Sequence, residues 1–195
     1  MNIRKTIIGG ICLFLFLPLY SQEIIQLTPI SKIGVKANLV SYASTTLNIG
    51  GEFRLASRYT LDIPISYNPW SFSSEKKIKH VLFQPEARYW FCEAFQGSFI
   101  GLHTHGGWYN VSAMGFTDYM KEHRFQGWLV GAGFSYGYQW ILSNRLSLEA
   151  TLGIGFAHMD YEIFYCEKCG EKIKDKVTNY WGPTRAGISL IYILK

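Results

Sequence analysis

At 195 residues the chain has room for one domain and not comfortably for two. Charged residues make up 17% and aromatics 16%, whereas soluble domains carry about 25% charged residues, so an apolar surface larger than an ordinary core has to be covered. The net charge of +5 drops to 17 basic against 14 acidic residues once Arg4 and Lys5 leave with a leader, too small an excess to recruit nucleic acid.

The chain starts with a short basic head, Met1-Asn2-Ile3-Arg4-Lys5, then an apolar run over residues 6–20, then Ser21-Gln22 with a small residue for cleavage. This is the layout of a secretory signal. The run is shorter than the roughly 20 apolar residues of a spanning helix and carries Pro18. Residues 1–22 are therefore expected to be a cleaved signal peptide, 23–32 a periplasmic lead and 33–195 the folded domain. Cys12 lies within the apolar run and leaves with it.

Period-two alternation then predicts eight strands, near 33–41, 45–56, 58–68, 80–91, 98–109, 125–142, 145–158 and 180–194. Most reach the length of about 9 to 11 residues that a tilted strand needs to cross a bilayer. One face is greasy throughout, with Val35, Ile49, Phe53, Ile65, Leu102, Phe134, Leu152 and Leu190 among its members. The other carries Lys36, Arg54, Arg88 and Arg185 against Glu52, Asp62, Glu86 and Glu149, with His103, His105 and Gln139 between them and many glycines. The interior of an eight-stranded ring is just wide enough for side chains, and an unpaired charge there costs several kcal/mol. The polar face is therefore expected to form an interior ion-pair network.

Alternation alone does not say which face is inside, since a lipocalin-like soluble barrel shows the same pattern turned inside out. Three features choose. The polar face matches charge with charge and alternates it with glycine, as a filled interior does. Aromatics of the greasy face gather near strand ends, with Tyr89, Phe91, Tyr138, Trp140 and Tyr192 at one rim and Tyr67, Trp108 and Trp128 at the other, as in the girdles of membrane barrels. Short connections around Ser57, residues 93–97 and Ser143-Asn144 alternate with long ones over 69–79, 110–124 and 159–179, the first outward connection, around residues 42–44, alone being tight. The expectation is an all-β, eight-stranded antiparallel up-and-down transmembrane β-barrel with a filled polar interior.

His103-Thr104-His105 sets two imidazoles on one strand face, about 7 Å apart. With no third ligand identifiable, their expected place is the polar interior. Cys166-Glu167-Lys168-Cys169-Gly170 has the spacing of half a zinc knuckle, and in an oxidising compartment the same pair can close a small disulfide. Zinc and disulfide both remain open. The runs at 75–80 and 171–176 are dense in lysine and suit solvent or lipopolysaccharide phosphates. No exposed nucleophile beside a base, no phosphate loop and no isolated carboxylate pair is present, so the chain is not expected to be an enzyme.

Several stretches resemble an uncharacterised family of small exported barrel proteins from Bacteroidota, domain of unknown function 3575. They are Tyr67-Asn68-Pro69-Trp70-Ser71-Phe72, Gln84-Pro85-Glu86-Ala87-Arg88-Tyr89-Trp90, Gly101-Leu102-His103-Thr104-His105-Gly106-Gly107, Gly127-Trp128, Gly131-Ala132-Gly133, Ser135-Tyr136-Gly137-Tyr138-Gln139-Trp140, the knuckle at 166–170, and Tyr180-Trp181-Gly182-Pro183-Thr184. The resemblance implies a barrel in the outer membrane, without an established activity or catalytic residues, and a surface role through members found near fimbrial or surface-assembly genes. The expected function is thus a non-enzymatic outer-membrane barrel whose outward loops serve adhesion, appendage assembly or envelope organisation. Its partners would be outer-membrane lipid, lipopolysaccharide and a surface or fimbrial protein. The rivals are a soluble periplasmic barrel binding an apolar ligand and an outer-membrane lipid-modifying enzyme.

Overall fold

A computed structural model describes residues 33–71, 77–112, 122–165 and 170–194. The expected signal peptide and lead, and Cys166 and Cys169, lie outside the described residues. The elements run β1 (Ile33–Asn38), α1 (Leu39–Ala43), β2 (Leu47–Ala56), β3 (Tyr59–Asn68), β4 (Lys77–Phe83), β5 (Glu86–Trp90), β6 (Gly97–Ser112), β7 (His123–Ile141), β8 (Leu146–Tyr165) and β9 (Lys172–Leu194).

All pairings are antiparallel, and each strand pairs with its sequence neighbours except β4 and β5, which share the partners β3 and β6, so the sheet runs up and down. It closes on itself: β1 pairs with β2 on one side and with β9 on the other, from Ile33↔Leu194 to Asn38↔Ser189. The strand expected over 80–91 is two strands. Pro85 has no N–H to give a ladder, and the break at Gln84-Pro85 separates β4, which pairs with the end of β3 through Ile65↔Phe83 to Asn68↔His80, from β5, which pairs with its start through Tyr59↔Tyr89 to Asp62↔Glu86. Strand β6 spans the break and pairs with both.

The outward connections differ from the sequence expectation. The strand predicted to run to residue 41 stops at Asn38, whose side-chain oxygen accepts a hydrogen bond from Val40 N at 3.0 Å and caps α1. The segment expected as a loop over 159–179 is largely strand, because β8 reaches Tyr165 and β9 starts at Lys172, and the one expected over 110–124 is strand at both ends, where β6 continues to Ser112 and β7 starts at His123. The ring is therefore lopsided, with β1 to β3 of 6, 10 and 10 residues opposite β6 to β9 of 16, 19, 20 and 23.

Strand parity sorts the faces. Outside stand Ile49, Leu55, Leu102, Phe134, Leu152 and Ile154, all exposed. Inside are Lys36, Glu52, Asp62, Glu86, Arg88, His103 and Glu149, all buried. At the end with the short turns the inside is apolar instead: Trp90, Ala94, Phe95, Phe99, Ile191 and Ile193 form the hydrophobic cluster. Phe95 holds a left-handed φ of 71°, which costs about 1–3 kcal/mol for a residue with a Cβ. The gain is a ring buried 6.3 Å from Trp90, and burying an aromatic side chain this completely contributes about 1.5–3 kcal/mol, of the size needed to offset the strain.

Candidate functional site

The chemistry concentrates in the middle of the ring. Register sets Glu52 opposite Asp62, Asp62 opposite Glu86 and Glu86 opposite His103, a row of three carboxylates across β2, β3 and β5 ending on β6. Like charges directly opposite one another repel, and Arg88 offsets them. Its Nε lies 2.6 Å from Glu86 Oε1, its Nη1 2.9 Å from Glu52 Oε2 and 2.8 Å from Glu149 Oε2, and its Nη2 2.9 Å from Asp62 Oδ2. The planar five-donor guanidinium allows one cation to serve four acids. The Phe99 ring seats it from the apolar end, with its centroid 4.3 Å from Arg88 Cζ.

Two further cations complete the cluster. Lys36 Nζ reaches Glu149 at 3.0 Å, Asp62 at 3.2 Å and Glu52 at 3.5 Å. Arg185 reaches Asp62 at 2.6 Å through Nη2 and Glu86 at 3.3 Å through Nε. Hydroxyls occupy further acceptor positions: Thr60 donates to Glu52 at 2.6 Å, Ser135 to Glu86 at 2.9 Å and Thr151 to Glu149 at 2.7 Å, which leaves Asp62 Oδ1 as the one carboxylate oxygen of the cluster without a partner among the described residues. His103 Nε2 sits 2.9 Å from Thr184 Oγ1 and its Nδ1 3.7 Å from Glu86. His105 follows on the same face, its ring 5.7 Å from that of His103.

Arg54 does not join. It is half-buried, and among the described residues it makes no ion pair. The expected balance of four cations and four carboxylates is thus corrected to Lys36, Arg88 and Arg185 against Glu52, Asp62, Glu86 and Glu149. The reason lies in position: Arg54 is two residues beyond Glu52 on β2, toward the short turns, where the interior has become apolar.

The glycines of the inward face make room for this cluster. A Cβ at Gly101 would stand 2.5 Å from Ser135 Oγ and 2.7 Å from the Glu86 carboxyl carbon, one at Gly131 2.5 Å from His105 Nε2, and one at Gly133 2.8 Å from His103 Nε2. Sequence reasoning placed Gln139 on the polar face but missed the apolar floor and the buried Ser147 near it. Gln139 and Ser147, both 0% exposed, have no side-chain hydrogen-bond partner, and two to four such groups are what holds a buried water. Toward the long-strand end, a polar cavity of about 180 Å³ lies against Lys36, Glu149 and Arg185. A wider cleft of about 890 Å³ includes the cross-strand row Asn68, His80, Tyr109, Gly127 and Tyr161, which shares the inward face with His103 by strand parity.

Every carboxylate of the centre is buried and takes part in at least one ion pair, and Glu149 also lines the polar cavity. Among the described residues no group of three or more His, Cys, Asp or Glu is arranged to hold a metal ion. Cys92 is exposed, in the turn between β5 and β6.

Residues 11–194 match the family model described as protein of unknown function (DUF3575). The chain belongs to the DUF3575 family. Neither the curated proteins nor the solved structures contain a match to this DUF3575 chain.

Proposed function

We propose that this chain is an outer-membrane β-barrel, closed to conduction and without catalytic activity, that serves the envelope by presenting the tall wall of β6 to β9 at the cell surface. The observation that carries the reading is the pairing of faces. Lys36, Arg88 and four carboxylates are sealed inside the ring while Phe134, Leu152 and Trp108 stand 71% exposed outside it. Such an outer surface is stable against hydrocarbon and costly against water. A soluble barrel binding an apolar ligand needs the faces reversed.

Dimensions and ends agree with a bilayer. On β6 the run from Ile100 to Trp108, at about 3.3 Å per residue and a tilt of about 40°, covers about 20 Å of thickness, close to the apolar band of about 25 Å on such barrels. Aromatics flank it, with Tyr59, Phe91, Trp140 and Tyr192 at the short-turn end and Tyr67, Trp70, Trp108 and Trp128 at the other, all exposed. Closure of the ring leaves no unpaired strand edge within that band except above β1. The floor of Trp90, Phe99 and Ile191 stops the interior from becoming a through-passage, which supports a scaffold rather than a pore. Lysines at the far rim, Lys77 and Lys79 on β4, suit the phosphates of lipopolysaccharide.

Fractionation of cells expressing the full chain tests the location. The expected result is recovery in the detergent-extracted outer membrane, as a band whose gel mobility changes on boiling. Recovery in the soluble periplasm would overturn the reading.

A further inference from the structure

Strand β9 is paired unequally along its length. On one side β8 accompanies it from Phe164↔Lys172 to Leu146↔Tyr192. On the other side β1 stops at Asn38↔Ser189. Just beyond, Ala186 O accepts from Asn38 Nδ2 at 3.4 Å and Thr184 O from Gln84 Nε2 at 3.0 Å. Above Thr184, over residues 172–182, no main-chain group bonds away from β8 to any described residue. This leaves about 35 Å of strand whose outer main-chain edge is unpaired among the described residues, and an unpaired edge is a template for another strand.

We propose that this edge, residues 172–182, docks an extended segment of another protein whose strand is acidic on one face and apolar on the other. The side chains set those preferences. Val177 and Trp181, 59% and 77% exposed, stand on one face of β9, and Lys174 and Lys176 on the other. Lys172 is tied to Glu162 and Asp175. Lys174 and Lys176 make no ion pair among the described residues. The segment carries three lysines against one aspartate, so a second copy pairing edge to edge brings like charges together, the usual way that an edge is guarded against its own kind. A strand with glutamates opposite Lys174 and Lys176 gains what a second copy loses, and main-chain hydrogen bonds supply the rest of the affinity, as in strand addition generally.

This inference rests on the proposed surface role only for its setting: fractionation tests that role and peptide binding tests this one, so either can fail alone. The probe is a fluorescent ten-residue peptide of alternating Glu and Val, titrated against the detergent-solubilised full chain. It should bind saturably and slow amide exchange over residues 173–181. The double substitution Lys174→Glu, Lys176→Glu, on exposed side chains, should weaken binding about tenfold, with the corresponding Gln variant in between. Three outcomes would overturn the proposal: a proline-containing peptide of equal charge binding as well, exchange over 173–181 unchanged by saturating peptide, or exchange there already slowed by raising the concentration of the protein alone, which would put a second copy on the edge.

Discussion

Two layers of the same interior, a few residues apart along each strand, are filled by opposite chemistry. In the middle, Arg88 and Lys36 are surrounded by carboxylates and hydroxyls. One step toward the short turns, Trp90, Phe99 and Ile191 pack together, the indole N–H donating to Thr60 at 2.9 Å and the buried Ser147 lying opposite Ile191. The apolar layer works piece by piece, since each ring keeps most of its contacts if a neighbour is trimmed. The ionic layer works only as a set, because removing one member leaves the others charged and buried. Arg88 belongs to both layers, bonded to four acids and seated on Phe99.

That contrast can be broken at its strongest point. Arg88→Ala leaves four carboxylates sharing Lys36 and Arg185 and should cost more than about 3–5 kcal/mol, read as loss of the heat-resistant folded band or failure to assemble. A variant that resists boiling as the parent does would show that the acids take up protons freely and that the set is not obligatory. Phe99→Ala, in the apolar layer, should cost about 3–5 kcal/mol and yet leave a folded ring with a lowered melting midpoint. Arg54→Ala, a change of the same residue type outside the cluster, should shift the midpoint by under about 0.5 kcal/mol. A loss comparable to that of Arg88→Ala would place Arg54 in the network after all.

The ionic layer was legible in the sequence and the apolar one was not, for a physical reason. Parity alone put Glu52, Asp62, Glu86 and Arg88 on one face, because the side-chain period of a strand is two whatever its register. Trp90 is flanked by Tyr89 and Phe91, so the alternation saturates with aromatics on both faces and no signal separates the inward ring from the outward ones. The over-long β8 and β9 were hidden differently. Where both faces of a strand are wet, polar residues such as Lys174, Asp175 and Lys176 occupy both parities and read as a loop, while the main-chain ladder continues regardless. The Gln84-Pro85 break and the short helix after Asn38 were visible as residues but not as consequences, since a proline or a capping asparagine can also sit at a strand end.

Joining β1 to β9 couples two events in time. Lys36 comes from the first strand, Arg185 from the last and Glu149 from the one before it, so the pairs of Lys36 with Glu149 and of Arg185 with Asp62 and Glu86 form only when the N- and C-terminal strands meet. Until then Lys36 lacks Glu149 and Asp62 and Glu86 lack Arg185, so a partly zipped chain holds buried charges with only part of their partners. Contacts this distant in sequence make assembly slow, and the late-arriving Arg185 acts as a checkpoint: a molecule truncated before it should stall unsealed rather than persist as a stable fragment.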